Sequence, residues 1–197
     1  MIMTGYRIIT IDSLLDSLGE DGLNAILSSY SCPRNSDIED FLHHKALTFS
    51  RQGLAKTHLV FASYKGKPVL VGYFALSNKT LFIPDKSKLS KRLKQRINKF
   101  ATHIDETRMN IITAPLIAQL GKNYAENYDS LITGDELLKM ACERIQEIQL
   151  VFGGKVAYLE CQNKPELIHF YEENGFREFN SRVDSNGEML VQMIRYF

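Results

Sequence analysis

VAYLECQNKPELIHFYEENGF, residues 156–176, decides the fold. KVAYLEC (155–161) reads as a strand. Asn163, Pro165 and Glu166 then open a short helix. Asn163 is its cap, Pro165 sits in the first turn where a missing N–H costs nothing, and Glu166 completes a capping box. Asn174 and Gly175 end it, because glycine takes the left-handed residue after the last turn without steric cost. Tyr171 lies four residues before Gly175, on the last full turn. It is either a core ring with a locally bonded hydroxyl or a phenol set out for chemistry. Phe170 beside it takes the packing role more naturally.

Upstream, the stretch from about residue 132 to 150 has Leu137, Ala141, Ile145 and Ile148 on one face, which predicts an amphipathic helix ended by Gly153 and Gly154. NIITAPLIAQL (110–120) is apolar enough for a buried strand, and it runs into the polar loop GKNYAENYDS. Downstream, strands over 176–183 and 188–195 are joined through Asn186 and Gly187.

In the amino half, YRIITID (6–12) predicts a strand and 13–29 a helix interrupted near Gly19 and Gly22. A capping box from Ser36 to Glu39 opens a helix with Ile38, Phe41, Leu42 and Phe49 on its buried side. THLVFASY (57–64) and PVLVGYFALS (68–77) flank the short loop KGK, and KTLFI (79–83) continues after a tight turn at Asn78. Residues 86–100 put Leu89, Leu93, Ile97 and Phe100 on one helical stripe. The order of elements predicts one domain over 1–197: a mixed α/β sheet of six to seven strands flanked by helices, with 86–100 as a basic helical insertion.

The chain has 197 residues, 44% of them hydrophobic and 24% charged, ordinary values for a globular protein. No apolar run reaches the ~20 residues that span a bilayer. MIMTGYRIITID carries no basic segment followed by an apolar one, so no leader is expected and the cytoplasm is the expected location. Cys32, Cys142 and Cys161 are too few and too scattered for a disulfide framework and read as small buried side chains. No metal site is expected. His43 and His44 are adjacent, about 100° apart on a helix, which is not ligand spacing. Net charge is +1, yet seven positive charges and no acid fall within 86–99, which leaves the remainder of the chain at −6. That run is either a solvated helix face or a phosphate contact.

Three stretches carry a family resemblance: APLIAQLGKNYAENYDSLITGDELLKMA (114–141), VAYLECQNKPELIHFYEENGF (156–176), and DIEDFLHHKAL with THLVFASYKGKPVLVGYFALS (within 37–77). Together they resemble the GNAT superfamily of N-acetyltransferases, nearest the branch that includes bacterial toxins acetylating aminoacyl-tRNA. The resemblance implies strands near 110–124 and 155–161 that splay apart, with a bulge in 120–124 pivoting on Gly121. It implies acetyl-CoA as co-substrate, held by backbone groups around Leu120, Ser130, Leu131, Thr133 and Gly134, with Lys122 offsetting the acids and Asn163 in contact.

The family's Gln or Arg followed by Gly-x-Gly or Gly-x-Ala is absent here. NYDSLI (127–132) stands in its place, with only Gly134 just beyond. Backbone N–H groups at a helix N-terminus suffice for a diphosphate. A helix capped by Thr133 or Asp129 with no ligand fits the same residues. Tyr171 is the implied proton donor to the departing thiolate. Glu160 is read as a base acting through water or as an exposed structural carboxylate, and a nucleophilic pair of Cys161 with His169 is disfavoured.

The expected activity is acetyl transfer from acetyl-CoA to a primary amine, small or macromolecular, by direct attack in a ternary complex. A toxin-like transferase of aminoacyl-tRNA, with tRNA contacted through 86–99, is the alternative within enzymes. A GNAT-shaped binding module without efficient catalysis is the alternative outside them. No membrane partner is expected, and a homodimer stands open as an assembly.

Overall fold

The computed structural model describes residues 5–197. Residues 1–4, the start of the stretch read for a leader, lie outside the described residues. Hydrogen-bonded strands follow the order β1-β2-β3-β5-β6-β8-β7, with β4 paired to β5. Two compact units divide the chain: Met1–Ser77 with Ala118–Ala141, and Asn78–Ile117 with Cys142–Phe197.

In the first unit, β1 (Tyr6–Thr10) runs antiparallel to β2 (Lys56–Tyr64). Thr10 ends the strand and caps α1 (Ile11–Leu27), its hydroxyl accepting from the Ser13 N–H, so the helix starts two residues earlier than expected. Gly19, at φ 71°, puts the expected interruption in that helix. Next come α2 (Ser36–Asp40), a π-helical turn over Phe41–Lys45, and α3 (Ala46–Arg51). The cap of α2 is Asn35, which accepts from the N–H groups of Asp37 and Ile38. Glu39 does not complete a box with Ser36. Its carboxylate accepts from the Cys32 N–H and the Ser31 hydroxyl, so it ties down the preceding loop instead.

Lys65 and Gly66, both at positive φ, make the two-residue turn that matches strand twist between β2 and β3 (Lys67–Pro84). β3 passes straight through Asn78, contrary to the expected turn, because ladder pairing outweighs one turn-forming residue. Ile11, Leu23, Phe41, Leu42, Leu59 and Tyr73 fill this unit's core.

Where β3 meets the end of β5 (Met109–Lys122), the backbones are in close approach. The Gly121 carbonyl lies 2.8 Å from where a Cβ on Gly72 would stand. A Cβ on Gly121 would strike the Tyr30 hydroxyl and come within 2.5 Å of the Ile38 side chain. Immediately beyond, Asn123 is fully buried. Its Oδ1 accepts from the N–H groups of Ser31 (2.9 Å) and Ala125 (3.0 Å). Its Nδ2 donates to the carbonyls of Ser29 (3.0 Å) and Leu70 (2.8 Å).

The second unit holds α4 (Lys91–Ile97), β4 (Thr102–Ile104), β6 (Val156–Gln162), α6 (Pro165–Glu173), β7 (Arg177–Val183) and β8 (Met189–Tyr196). α5 (Gly134–Phe152) begins in the first unit and ends in the second. β6 pairs antiparallel with β8 along its whole length. Its parallel ladder with β5 has two residue pairs, Leu116 with Tyr158 and Ile117 with Leu159.

Among the described residues the sheet has eight strands, not six to seven. The added one is β4, three residues long and too short to show a period in sequence. α4 is shorter than the expected 86–100. Ser90 caps it through the Leu93 N–H, and Phe100 lies beyond it, exposed. Lys164, not Asn163, is the cap position of α6, and it makes no side-chain bond there. Pro165 presets the first turn, and the Phe176 N–H closes the far end on the Tyr171 carbonyl. Leu81, Leu89, Ile97, Ile112, Tyr158 and Phe179 form the core of this unit. Cys32, Cys142 and Cys161 are all buried, as expected.

Replacing Asn123 by Ala would leave two N–H groups and two carbonyls without this partner, at a cost of about 3 kcal/mol. Urea denaturation of Asn123→Ala should show a lower midpoint with unchanged slope. A loss under about 1 kcal/mol would show that these bonds do not hold the unit together.

Candidate active site

The implied cofactor loop belongs to the first unit. After Asn123 the chain coils into a 3-10 segment, Ala125–Leu131, in which Glu126 (φ 51°) and Asn127 (φ 60°) are both left-handed. Lys122 braces this coil, its ammonium donating to the carbonyls of Asp129 (2.8 Å) and Ile132 (3.2 Å). The expected charge compensator is thus a strut within the loop. The Ser130 hydroxyl donates to the Asn127 carbonyl, and the Leu131 carbonyl accepts from the Tyr6 hydroxyl. Ile132 points into the core, while Leu131 is half-buried and Leu120 half-buried on β5.

Of the two expected caps, Thr133 is the one used for α5. The Glu136 N–H donates to its hydroxyl at 3.1 Å, and the Glu136 carboxylate accepts from the Thr133 N–H and hydroxyl, each at 2.8 Å. This is a complete capping box. The Thr133 N–H, aided by its hydroxyl and by Tyr6, holds the Glu136 carboxyl below the usual range against an opposing effect of burial. A carboxylate therefore occupies the positive end of the helix, where an anionic ligand would bind. Sequence reading passed over Glu136; the Thr-x-x-Glu pattern at 133–136 was the available signal.

Tyr171 belongs to the second unit. It sits on α6, half-buried, its ring edge-on to Phe170 (4.9 Å between centroids) and to Phe176 (6.0 Å). Its hydroxyl finds no hydrogen-bond partner among the described residues. Burial raises its pKa, and the neighbouring Cys161 adds to the rise, so the phenol stays protonated well into alkaline pH. Cys161 is itself pushed up to about 11 by burial and by Glu178, which makes it a poor nucleophile at neutral pH. His169 pairs with Glu173 at 3.4 Å on the exposed side of α6. Asn163 is exposed, its backbone N–H bonded to the Met189 carbonyl.

Glu160 has a different character from either expected role. Arg182 binds both its oxygens, at 2.7 and 2.6 Å. The Tyr158 hydroxyl and the Gln192 amide also donate to it. Burial favours the neutral acid, but these hydrogen bonds outweigh it and hold the carboxyl at about 2. A carboxylate so fully engaged is a weak proton acceptor.

The basic run is only partly free. Lys88 pairs with Glu178, Lys94 donates to the Asp85 carbonyl, and Arg96 stacks 3.7 Å above the Tyr196 ring. An open groove of about 620 Å³ lies along α4, lined by Lys88, Arg92, Arg96, Glu172, Arg177 and Glu178 among others.

No protein-family model matches the chain, and no curated protein matches it. Solved structures do. A tyrosine-to-phenylalanine mutant of KacT aligns with TM-score 0.62 at 14% identity, covering 95% of this chain and 94% of that one. AtaT complexed with acetyl-methionyl-tRNAfMet aligns with TM-score 0.63 at 14% identity, covering 94% and 93%. AtaTR bound with AcCoA aligns with TM-score 0.55 at 14% identity, covering 96% and 93%. Similarity this low in sequence and this complete in coverage establishes architecture alone: the chain has the fold shared by KacT and AtaT.

Proposed function

We propose that this chain is an acetyl-CoA-dependent N-acetyltransferase, in which a primary amine attacks the acetyl group directly and Tyr171 protonates the departing sulfur. The observation that carries this reading is the Tyr171 hydroxyl: half-buried on α6, without a protein partner and held in its protonated form. Its ring packs on Phe170 and Phe176, which leaves the hydroxyl open to a ligand. The fold shared with a structure bound to AcCoA supports the same reading.

The residues present offer such a ligand a helix start with two opposing charges. α5 is 19 residues long and starts at Gly134, with Asp135 and Glu136 in its first turn. Leu120, Ser130, Leu131, Thr133 and Gly134 would offer backbone groups, Lys122 would hold the loop in shape, and Asn163 would add a polar contact. Acetyl-CoA would supply an activated acyl thioester and a sulfur leaving group. Tyr171 would keep its proton until charge builds on that sulfur, then donate it. Glu160 is withdrawn as a base by the four hydrogen bonds it accepts.

The acids in the first turn of α5, Asp135 and Glu136, favour a second reading in which the fold persists while cofactor binding has weakened. As to the acceptor, the AtaT structure holds an acetylated aminoacyl-tRNA, and the groove along α4 offers Arg92 and its basic neighbours to a phosphate backbone. Aminoacyl-tRNA is therefore the acceptor this proposal favours among macromolecules.

Tyr171→Phe should bind acetyl-CoA with unchanged affinity by calorimetry and lose about 10²-fold or more in kcat. Unaltered turnover would remove Tyr171 from the chemistry. Glu136→Gln keeps the capping box and removes the charge, so acetyl-CoA should bind roughly tenfold tighter. Absence of binding at millimolar ligand by both wild type and Glu136→Gln would favour the module without catalysis. Affinity for tRNA should fall steeply as salt rises from about 50 to 300 mM, and indifference to salt would rule out α4 as a phosphate contact.

A further inference from the structure

α5 ends in Ile148, Gln149, Leu150, Val151 and Phe152, and Gly153 and Gly154 follow at positive φ. Leu150, Val151 and Phe152 are 86%, 81% and 88% exposed, so their side chains project from the fold around them. Gln149 is turned the other way. Its amide donates to the Val156 carbonyl at 2.8 Å, which engages the one polar side chain of this turn inside the protein. The helix end therefore holds three large apolar side chains out in water, where they are unfavourably placed.

Cations and aromatic rings lie beside this turn in the second unit. An open groove of about 400 Å³ is lined by Phe152, Ile148, Phe100, Asn78 and Lys155 among others. The Phe100 ring lies 6.3 Å from that of Tyr196, and Arg96 stacks on the Tyr196 ring. Lys99, next to Phe100 in the chain, and Lys155 are both exposed. Glu147, the acid before the turn, is matched by Arg144 at 2.5 Å. The surroundings of the apolar turn are thus positive.

That combination selects the occupant. The projecting side chains expose on the order of 500 Å². This is the size of patch that marks a contact site, yet it is short of the roughly 800 Å² each partner brings to a stable protein interface. A nucleic acid would use the cations and leave the apolar turn in water. A lipid surface uses both at once. Leu150, Val151 and Phe152 would enter the boundary of headgroups and acyl chains, about 5–10 Å deep. Lysine and arginine stay at headgroup level, where an anionic leaflet adds about fivefold in affinity for each. Such a contact needs no run long enough to cross a bilayer, which is the ground on which no membrane partner is expected from the sequence.

We propose that this face rests on an anionic bilayer, with Leu150, Val151 and Phe152 inserted and Arg96, Lys99 and Lys155 at the headgroups. The contact is independent of whether the chain transfers acetyl groups. The full chain should sediment with vesicles of phosphatidylcholine holding about 30% phosphatidylserine, half-bound at about 100 µM lipid. It should bind at least about tenfold more weakly to phosphatidylcholine alone. A Leu150→Glu, Val151→Glu double variant should lose about 100-fold on both vesicles while melting at the wild-type temperature, since both side chains lie outside the core. Lys99→Glu with Lys155→Glu should lose about 25-fold or more on the anionic vesicles. A wild type that stays in the supernatant at about 1 mM anionic lipid would overturn the proposal, as would variants that sediment like the wild type. The same holds if Leu150→Glu, Val151→Glu lowers the mass of the free chain, or its affinity for tRNA, and leaves vesicle binding unchanged. The face would then belong to a second copy or to RNA.

Discussion

Asn123 is buried completely, and both ends of its amide are engaged twice. The four backbone groups it binds come from three places: the segment after α1, the strand β3, and the coil that follows β5. Main-chain bonds join the same segments, the Asn123 N–H donating to the Val71 carbonyl and the Tyr124 N–H to the Ser31 carbonyl, each at 2.8 Å. One side chain adds four further bonds among them. In the low dielectric of the interior these bonds reinforce one another, so the amide acts as a single fastening. The loop from Ala125 to Leu131 starts two residues later. Its left-handed residues and the Lys122 strut only have a defined place because Asn123 fixes where the loop begins.

The candidate residues of the two units are prepared differently, each within its own unit. Around α5, polar groups are already matched: Thr133 with Glu136, Lys122 with two carbonyls, Ser130 with Asn127. A ligand there would have to compete with bonds the protein makes for itself. Around Tyr171 the reverse holds, since rings enclose the phenol and leave its hydroxyl unengaged. Glu160 belongs to the first kind. Its bonds to Arg182, Tyr158 and Gln192 make it a structural anion that locks β6 to its neighbours.

Much of this was legible from periodicity and punctuation. The helix of α5, the strands β2, β6 and β8, and the Asn174 and Gly175 stop of α6 follow from spacing and turn chemistry. The misses share a cause. Ser36 and Asn163 looked like caps because each precedes a glutamate at suitable spacing, yet Asn35 and Lys164 hold those positions. Local pattern cannot tell between adjacent polar residues when tertiary bonds decide, as Glu39 shows by reaching back to Cys32. The turn expected at Asn78 failed for the same reason, since a long ladder overrode one residue's preference. Tyr171 could be singled out in sequence, but its unbonded hydroxyl could not, because that depends on what surrounds it in three dimensions.

At the junction of β3 and β5, a Cβ on Gly72 would meet the Gly121 carbonyl, and a Cβ on Gly121 would meet the Tyr30 and Ile38 side chains. Elsewhere in a sheet, a mutation swaps one side chain for another and neighbours repack around it. Here a carbon added at Gly72 meets a peptide oxygen, which cannot rotate away as a side chain would. Damage at this spot would therefore travel as strand displacement rather than as a local hole. Compensating changes would have to arise in the backbone path of both strands, which leaves this seam among the least adaptable places in the molecule.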